Sequence, residues 1–252
     1  MALTSPDYSY LGSGEIHLRK RGAAKPFRGI GNCSAFSFSP QTNRVTLMDS
    51  TQPGGGTRNS VERVTEVQIS FTMHDFSAAN FADVLRGAAS VIVAGNVVDE
   101  LVVAYKDGVT PLANIASGIT AVKGAAAGGA AYEQGKDWDI KSGALYIPAG
   151  SDIPDPVDGA PNLKVTYANA ASERMQALVN PSEEYELLFI GTNEANSGKR
   201  VRAQAYRVSG GVIGELALIG EQYGGGTVTG TLSRDTSKPA GVSQYFTWDA
   251  EK

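Results

Sequence analysis

One cysteine, two histidines and two tryptophans are all that 252 residues contain of those types. A lone Cys33 excludes an internal disulfide, and nothing in the cysteine usage points to an oxidising compartment. His17 and His74 offer little for a metal centre, and neither adjoins a serine or cysteine in a nucleophile motif; no G-x-S-x-G occurs. A basic excess is also missing. The net charge of −4 argues against a nucleic-acid reader, which needs a concentrated basic face. No apolar run approaches the ~20 residues of a membrane span, so no membrane contact is expected. MALTSPDYSYLGSGE has no apolar core of the signal-peptide kind, so none is expected there.

What is present reads as an all-β chain. Hydrophobic residues make up 42% and charged residues 19%, an ordinary globular profile, and 30 glycines with 11 prolines suit a fold of many turns. The clearest pattern lies at residues 61–87. Val67, Ile69, Phe71 and Met73 alternate with Glu66, Gln68, Ser70, Thr72 and His74, the period of two that a half-buried strand requires. The period then changes. Ser77 can cap a short helix whose Phe81, Val84 and Leu85 share a face, and Gly87 stands where a left-handed residue would end it. The predicted core is Val67, Ile69, Phe71, Met73, Phe81 and Leu85.

Other strands are predicted around Ile16 and Leu18, at 27–38 with a bulge near Gly29 and Gly31, and at 44–48. Further ones follow at 97–105, 162–168, 173–179, 184–191, 200–209, 212–220, 227–233 and 244–249. Tyr132 to Ile147 reads as a hairpin turning at Lys141-Ser142-Gly143. Residues 1–13 read as an arm. DSTQPGGGTRNS at 49–60 reads as a long hairpin loop, uncommon unless functional. The Gly- and Ala-rich stretch 108–131 yields no firm pattern. The pattern points to an antiparallel β-sandwich or barrel with one short flanking helix, as one large domain or two small ones.

Catalytic chemistry finds little support. Asp137 and Asp139 flank Trp138, and a carboxylate pair can cleave glycosides, but a hairpin makes them a solvated face. GTNEANSGKR at 191–200 lacks P-loop spacing and reads as a turn, with Asn193 and Asn196 tolerating unusual backbone angles. Arg19, Lys20, Arg21, Lys25 and Arg28 form the one basic cluster, either a solvated strand end or a phosphate contact. No enzyme activity, catalytic residue, metal site or cofactor is expected.

Several pieces, in order along the chain, carry a resemblance. They are Gly12 to Glu15, Arg28-Gly29-Ile30-Gly31-Asn32, the "DST" at 49–51, "HDFSAANFADVLRG" at 74–87, Tyr132 to Trp138, and Leu188 to Asn193. In this order the chain resembles the major tail tube proteins of long-tailed bacteriophages. The resemblance spans nearly the whole chain and implies a single antiparallel β-sandwich or half-barrel domain over 1–252, with a region at 88–170 expanded relative to shorter members. It implies a virion structural subunit, assembled in the host cytoplasm. Copies form stacked, probable six-membered rings around a hollow conduit for DNA ejection. Implied partners are further copies of the chain, a tape-measure protein in the lumen during assembly, tail-terminator and distal (baseplate) tail proteins at the ends, and viral DNA in transit without sequence-specific binding. Glu66, Gln68, Ser70, Thr72 and His74 become candidates to line the lumen. Asp49, Ser50, Thr51, Gln52, Arg58 and Asn59 become candidates for contact between subunits or rings. An alternative is a carbohydrate-binding β-sandwich of a phage or bacterial surface protein, stacking sugars on Trp138, Tyr146 and Tyr167.

Overall fold

The structure, a computed structural model, describes residues 8–51, 53–221 and 223–252. Residues 1–7 of the expected arm and Gln52 of the expected loop lie outside them. Among the described residues the protein is all-β with one α-helix. In chain order its elements are β1 (Gly12–Lys20), β2 (Arg28–Gly29), β3 (Cys33–Met48), β4 (Thr57–Met73), α1 (Ala78–Val84), β5 (Ala88–Ile92), β6 (Gly95–Val102), β7 (Gly108–Thr110) and β8 (Ala116–Gly124). They continue as β9 (Ala131–Tyr132), β10 (Asp139–Lys141), β11 (Ala144–Ile147), β12 (Leu163–Asn169), β13 (Ser172–Gln176), β14 (Glu184–Asn193), β15 (Lys199–Ile213), β16 (Gly226–Leu232) and β17 (Phe246–Ala250). In place of the single domain expected, the chain divides into two compact units. One comprises Met1–Ala89 with Met175–Lys252, and the other is Ser90–Arg174, close to the stretch that looked expanded.

The first unit is built on one eight-stranded sheet in the order β2-β1-β14-β15-β16-β4-β3, with β17 beside β15. β15 organises it. Val201–Ala205 pair with β17, whereas Val208–Ile213 pair with β16. Two strands at 200–209 and 212–220 were expected here; one strand runs to Ile213 instead. Gly210 and Gly211, at φ of 89° and 76°, make a bulge inside it rather than a turn, and residues 214–221 and 223–225 lie outside any strand. The sheet curls onto itself. Phe38 of β3 stacks on Phe246 of β17 at 4.4 Å, and Phe36 lies 5.4 Å from Phe189 of β14. Between the two halves sit Ile16, Ile30, Val67, Ile69, Phe71, Met73, Leu187 and Ala205. Each large side chain buried there contributes roughly 1.5–3 kcal/mol.

The helix closes this core with buried Val84 and half-buried Phe81 and Leu85. Ser77 caps it, its Oγ accepting from the Asn80 amide at 3.2 Å. The left-handed residue after the helix is Arg86 (φ 48°), not Gly87. Gly87 is small for a different reason: a Cβ there would lie 2.5 Å from the Gln176 carbonyl oxygen.

The second unit pairs a four-stranded sheet, β6-β12-β8-β9, with a three-stranded one, β10-β11-β7. Trp138, Leu145, Ile147, Leu163, Val165 and Tyr167 fill its core. The hairpin turn between β10 and β11 is the expected one, with Ser142 and Gly143 left-handed at φ of 51° and 80° between the paired Lys141 and Ala144. Asn162 pins the loops by accepting from the Ala104 amide and donating to the Ala104 and Pro154 carbonyls.

Candidate functional site

β4 behaves differently along its length. From Val67 to Met73 it lies between β3 and β16, and Val67, Ile69, Phe71 and Met73 are buried. The residues between them face outward, and their cross-strand partners are of one kind. Three rows run across β16, β4 and β3: Thr227–Thr72–Ser34, Thr229–Ser70–Ser37 and Thr231–Gln68–Ser39. All nine side chains are uncharged hydroxyls or amides. Glu66 borders the face at one end, where its carboxylate accepts from the Thr231 hydroxyl at 2.9 Å. His74 borders the other, with Nε2 2.9 Å from the Ser34 hydroxyl and Nδ1 3.1 Å from the Gly224 carbonyl oxygen. The predicted polar stripe is thus the middle column of a broader neutral face. Thr227, Thr229 and Thr231 were visible as an alternating strand, but nothing local in the sequence places them beside β4. The Ser34–His74 contact joins residues 40 apart.

A turn supports the His74 end. Asp75 accepts from the Asn32 amide at 2.9 Å, and Gly31 (φ 81°) permits this because a Cβ there would fall 1.9 Å from the Asp75 carboxylate.

From Thr57 to Glu66, β4 pairs with β3 alone. This outer half is a two-stranded ribbon, with Val45 58%, Leu47 61%, Met48 57%, Val61 49% and Val64 55% exposed. Val45 pairs with Val61 and Leu47 with Asn59; a bulge at Thr65 places these pairs on the face that carries Ser37, Ser39 and Gln41, opposite the core. The expected strands at 27–38 and 44–48 are in fact joined in β3, whose edge position tolerates Pro40. The expected loop at 49–60 is also shorter. Asp49, Ser50 and Thr51 are in it, but Arg58 and Asn59 lie in β4, since the polar Thr57–Ser60 segment completes the ladder to Met48–Thr46. The "DST" start is a turn in which Asp49 accepts from the amide and hydroxyl of Thr51. These bonds hold its carboxyl below the usual range.

The other half of the sheet has a charged outer face. Glu15, Ile190, Arg202 and Asp249 form one row across β1, β14, β15 and β17, beneath an open groove of about 1000 Å³. Arg202 donates twice to Asp249, at 2.7 and 3.0 Å.

The remaining candidates have structural partners. Arg19 pairs with Glu186, Lys20 with Glu183, Arg21 with Glu184 and Asp235, and Arg28 with Asp83, so four of the five basic side chains of that cluster face carboxylates. Asp137 is buried and accepts from the Glu133 and Asp152 amides, which lowers its pKa; it is not on a solvated face beside Asp139. Trp138 and Tyr167 cannot form a sugar platform, being 3% and 1% exposed. The Trp138 indole donates to the Tyr132 carbonyl, and the Tyr167 hydroxyl to Glu100 at 2.6 Å. Burial and that bond raise the Tyr167 pKa to about 12. In the 191–200 turn the left-handed residues are Ser197 and Gly198, while Asn193 ties down the arm through Leu11 and Ser9.

Among the described residues, no group of three or more His, Cys, Asp or Glu side chains is arranged to hold a metal ion. No helix among them is long and apolar enough to cross a membrane. No curated protein matches the chain. A family model does match, over residues 9–249, so the chain belongs to the family described as "Protein of unknown function UCP028589".

Proposed function

We propose that this chain is the self-assembling subunit of a hollow conduit of the phage tail tube type. Copies join side by side into rings, and rings stack into a tube through which DNA passes. One observation carries this reading: β3 is a 16-residue strand that ends the sheet, with no further strand paired to it among the described residues, and its outer half belongs to a ribbon whose Val45, Leu47 and Val61 are exposed. A long open edge invites pairing with another chain, and a two-stranded ribbon in water is marginally stable alone. β17, paired with β15 and stacked through Phe246 on Phe38 of β3, is another edge strand of the same curled sheet, so edges of neighbouring copies can meet head to tail and close.

The neutral face of β16, β4 and β3 then suits a lumen. Binding to DNA is dominated by lysine and arginine on phosphates, and the three central rows hold neither. A duplex would slide past hydroxyls that are already hydrated. In that setting a tape-measure protein fills the tube during assembly, end proteins close it, and the mature site is the virion tail.

Electron microscopy and sedimentation velocity of the purified full chain test the proposal. Rings or tubes, with a sedimentation coefficient rising with concentration, are expected. A species that stays monomeric at millimolar concentration would sink it. A variant in which Thr46–Ser60 is replaced by Asn-Gly, joining Val45 to Val61, should fold but fail to stack.

A further inference from the structure

Resting on the self-assembly reading, we infer that the outer ribbon of one copy docks on the loop surface formed by residues 214–221 and 223–225 of the next. The loop is apolar and acidic: Leu218 is 81%, Ile219 97% and Tyr223 100% exposed, flanked by Glu215 and Glu221, and 214–225 contains no lysine or arginine. It is presented rather than trailing. Leu216 packs against the core on one side, and the Gly224 carbonyl is tied to His74 on the other. The ribbon is its complement, apolar at Val45, Leu47 and Val61, and basic, with Arg44, Arg58 and Arg63 against Glu62. Arg19, Arg21 and Arg202 face carboxylates of their own unit, whereas Arg58 and Arg63 are exposed.

Position decides the occupant. Met73, at the inner end of β4, pairs with Gly226, where the loop ends; Thr57, at the outer end, pairs with Met48 at the ribbon tip. The two surfaces therefore lie at opposite ends of one strand, roughly 50 Å apart at ~3.3 Å per residue. A copy cannot bring its own ribbon onto its own loop. Two different patches that fit each other at opposite ends of a molecule make a heterologous contact, which repeats head to tail. Buried Leu218, Ile219 and Val61 would supply the apolar contact, and the arginine–glutamate pairs would set its direction.

Charge exchange in the full chain tests this. Arg58→Glu with Arg63→Glu, and separately Glu215→Arg with Glu221→Arg, should each raise the concentration needed for stacking roughly tenfold or more. All four changes in one chain should restore it. Circular dichroism checks that each variant folds, and Leu218→Ser with Ile219→Ser provides a variant free of charge effects, expected to weaken stacking as well. Wild-type stacking that is indifferent to both loop variants overturns this contact and leaves self-assembly standing. A wild type that never assembles removes the underlying reading and the contact with it.

Discussion

The two halves of the β3–β4 hairpin share strands, pairing and alternation, yet the inner half is core and the outer half is bare. Inside, Val67, Ile69, Phe71 and Met73 are at most 4% exposed; outside, Val45, Leu47 and Val61 are about half exposed or more. Part of the difference is in the chain, since a bulge at Thr65 turns Val61 and its partner Val45 to the face opposite the core, and part is in the surroundings. The inner half has β16 on its other side and a curled sheet beneath it, whereas the outer half has only its partner strand. Hydrophobic alternation therefore reports which face wants covering, not whether the same chain covers it.

The sharpest way to break that contrast is Phe71→Ala. Truncating a buried phenylalanine removes its transfer energy and leaves a cavity, at a cost of about 3–5 kcal/mol. Urea unfolding followed by circular dichroism should show that loss. A loss below about 1 kcal/mol would mean that the inner half is not what holds the first unit together.

Acid should weaken the body of the unit more than the ribbon. Glu184 is held below its usual range chiefly by Arg207, and Asp235 chiefly by the Ser237 hydroxyl. Because both folded values are lowered, the stability they contribute is complete above the ordinary carboxylate range, around pH 4, and is lost as pH falls through the lowered values. Urea midpoints measured from pH 7 to pH 2 should drop in that window, and Arg207→Ala should flatten the drop. At the ribbon tip the Asp49 carboxyl is lowered too, by its bonds from Thr51.

A smaller effect is expected at the helix that covers the inner half. Ser77→Ala leaves the Asn80 amide without its cap and should cost about 1 kcal/mol. Thermal unfolding would read this as a shift of a few degrees; no shift would mean that the helix is held by Val84, Phe81 and Leu85 alone.

How much of this was legible in the sequence follows from range. The stripe from Glu66 to His74, the Ser77 cap and the Ser142-Gly143 turn are local patterns, and local rules found them. The neutral face was seen only as one column, because Thr227–Thr231 and Ser34–Ser39 join it through long-range pairing. Gly210-Gly211 looked like a turn because a glycine pair marks a turn and a bulge equally well. Thr57–Ser60 looked like loop because its composition is polar, although a ribbon in water has no reason to be otherwise. Trp138 looked like a platform because a strand aromatic between two aspartates suggests exposure, while its indole and Asp137 are both turned to backbone partners. The exposed Leu218 and Ile219 looked like strand, since apolar residues left in solvent read the same as apolar residues in a core.

The smallest expected change in stability is the one that bears most directly on the comparison. Val45→Thr with Val61→Thr keeps β-branched shape and strand propensity in a directly paired couple. Both side chains are already about half in water, so the isolated chain should change by no more than about 0.5 kcal/mol. Stacking should nevertheless weaken, because apolar area that meets only solvent in one copy would be covered in the assembly. The measurement is paired: urea unfolding at a concentration where the chain is monomeric, and sedimentation where it assembles. A large loss in the first would place the ribbon within the fold's own stability. Neutrality in both would leave the outer half without a partner that uses its apolar face.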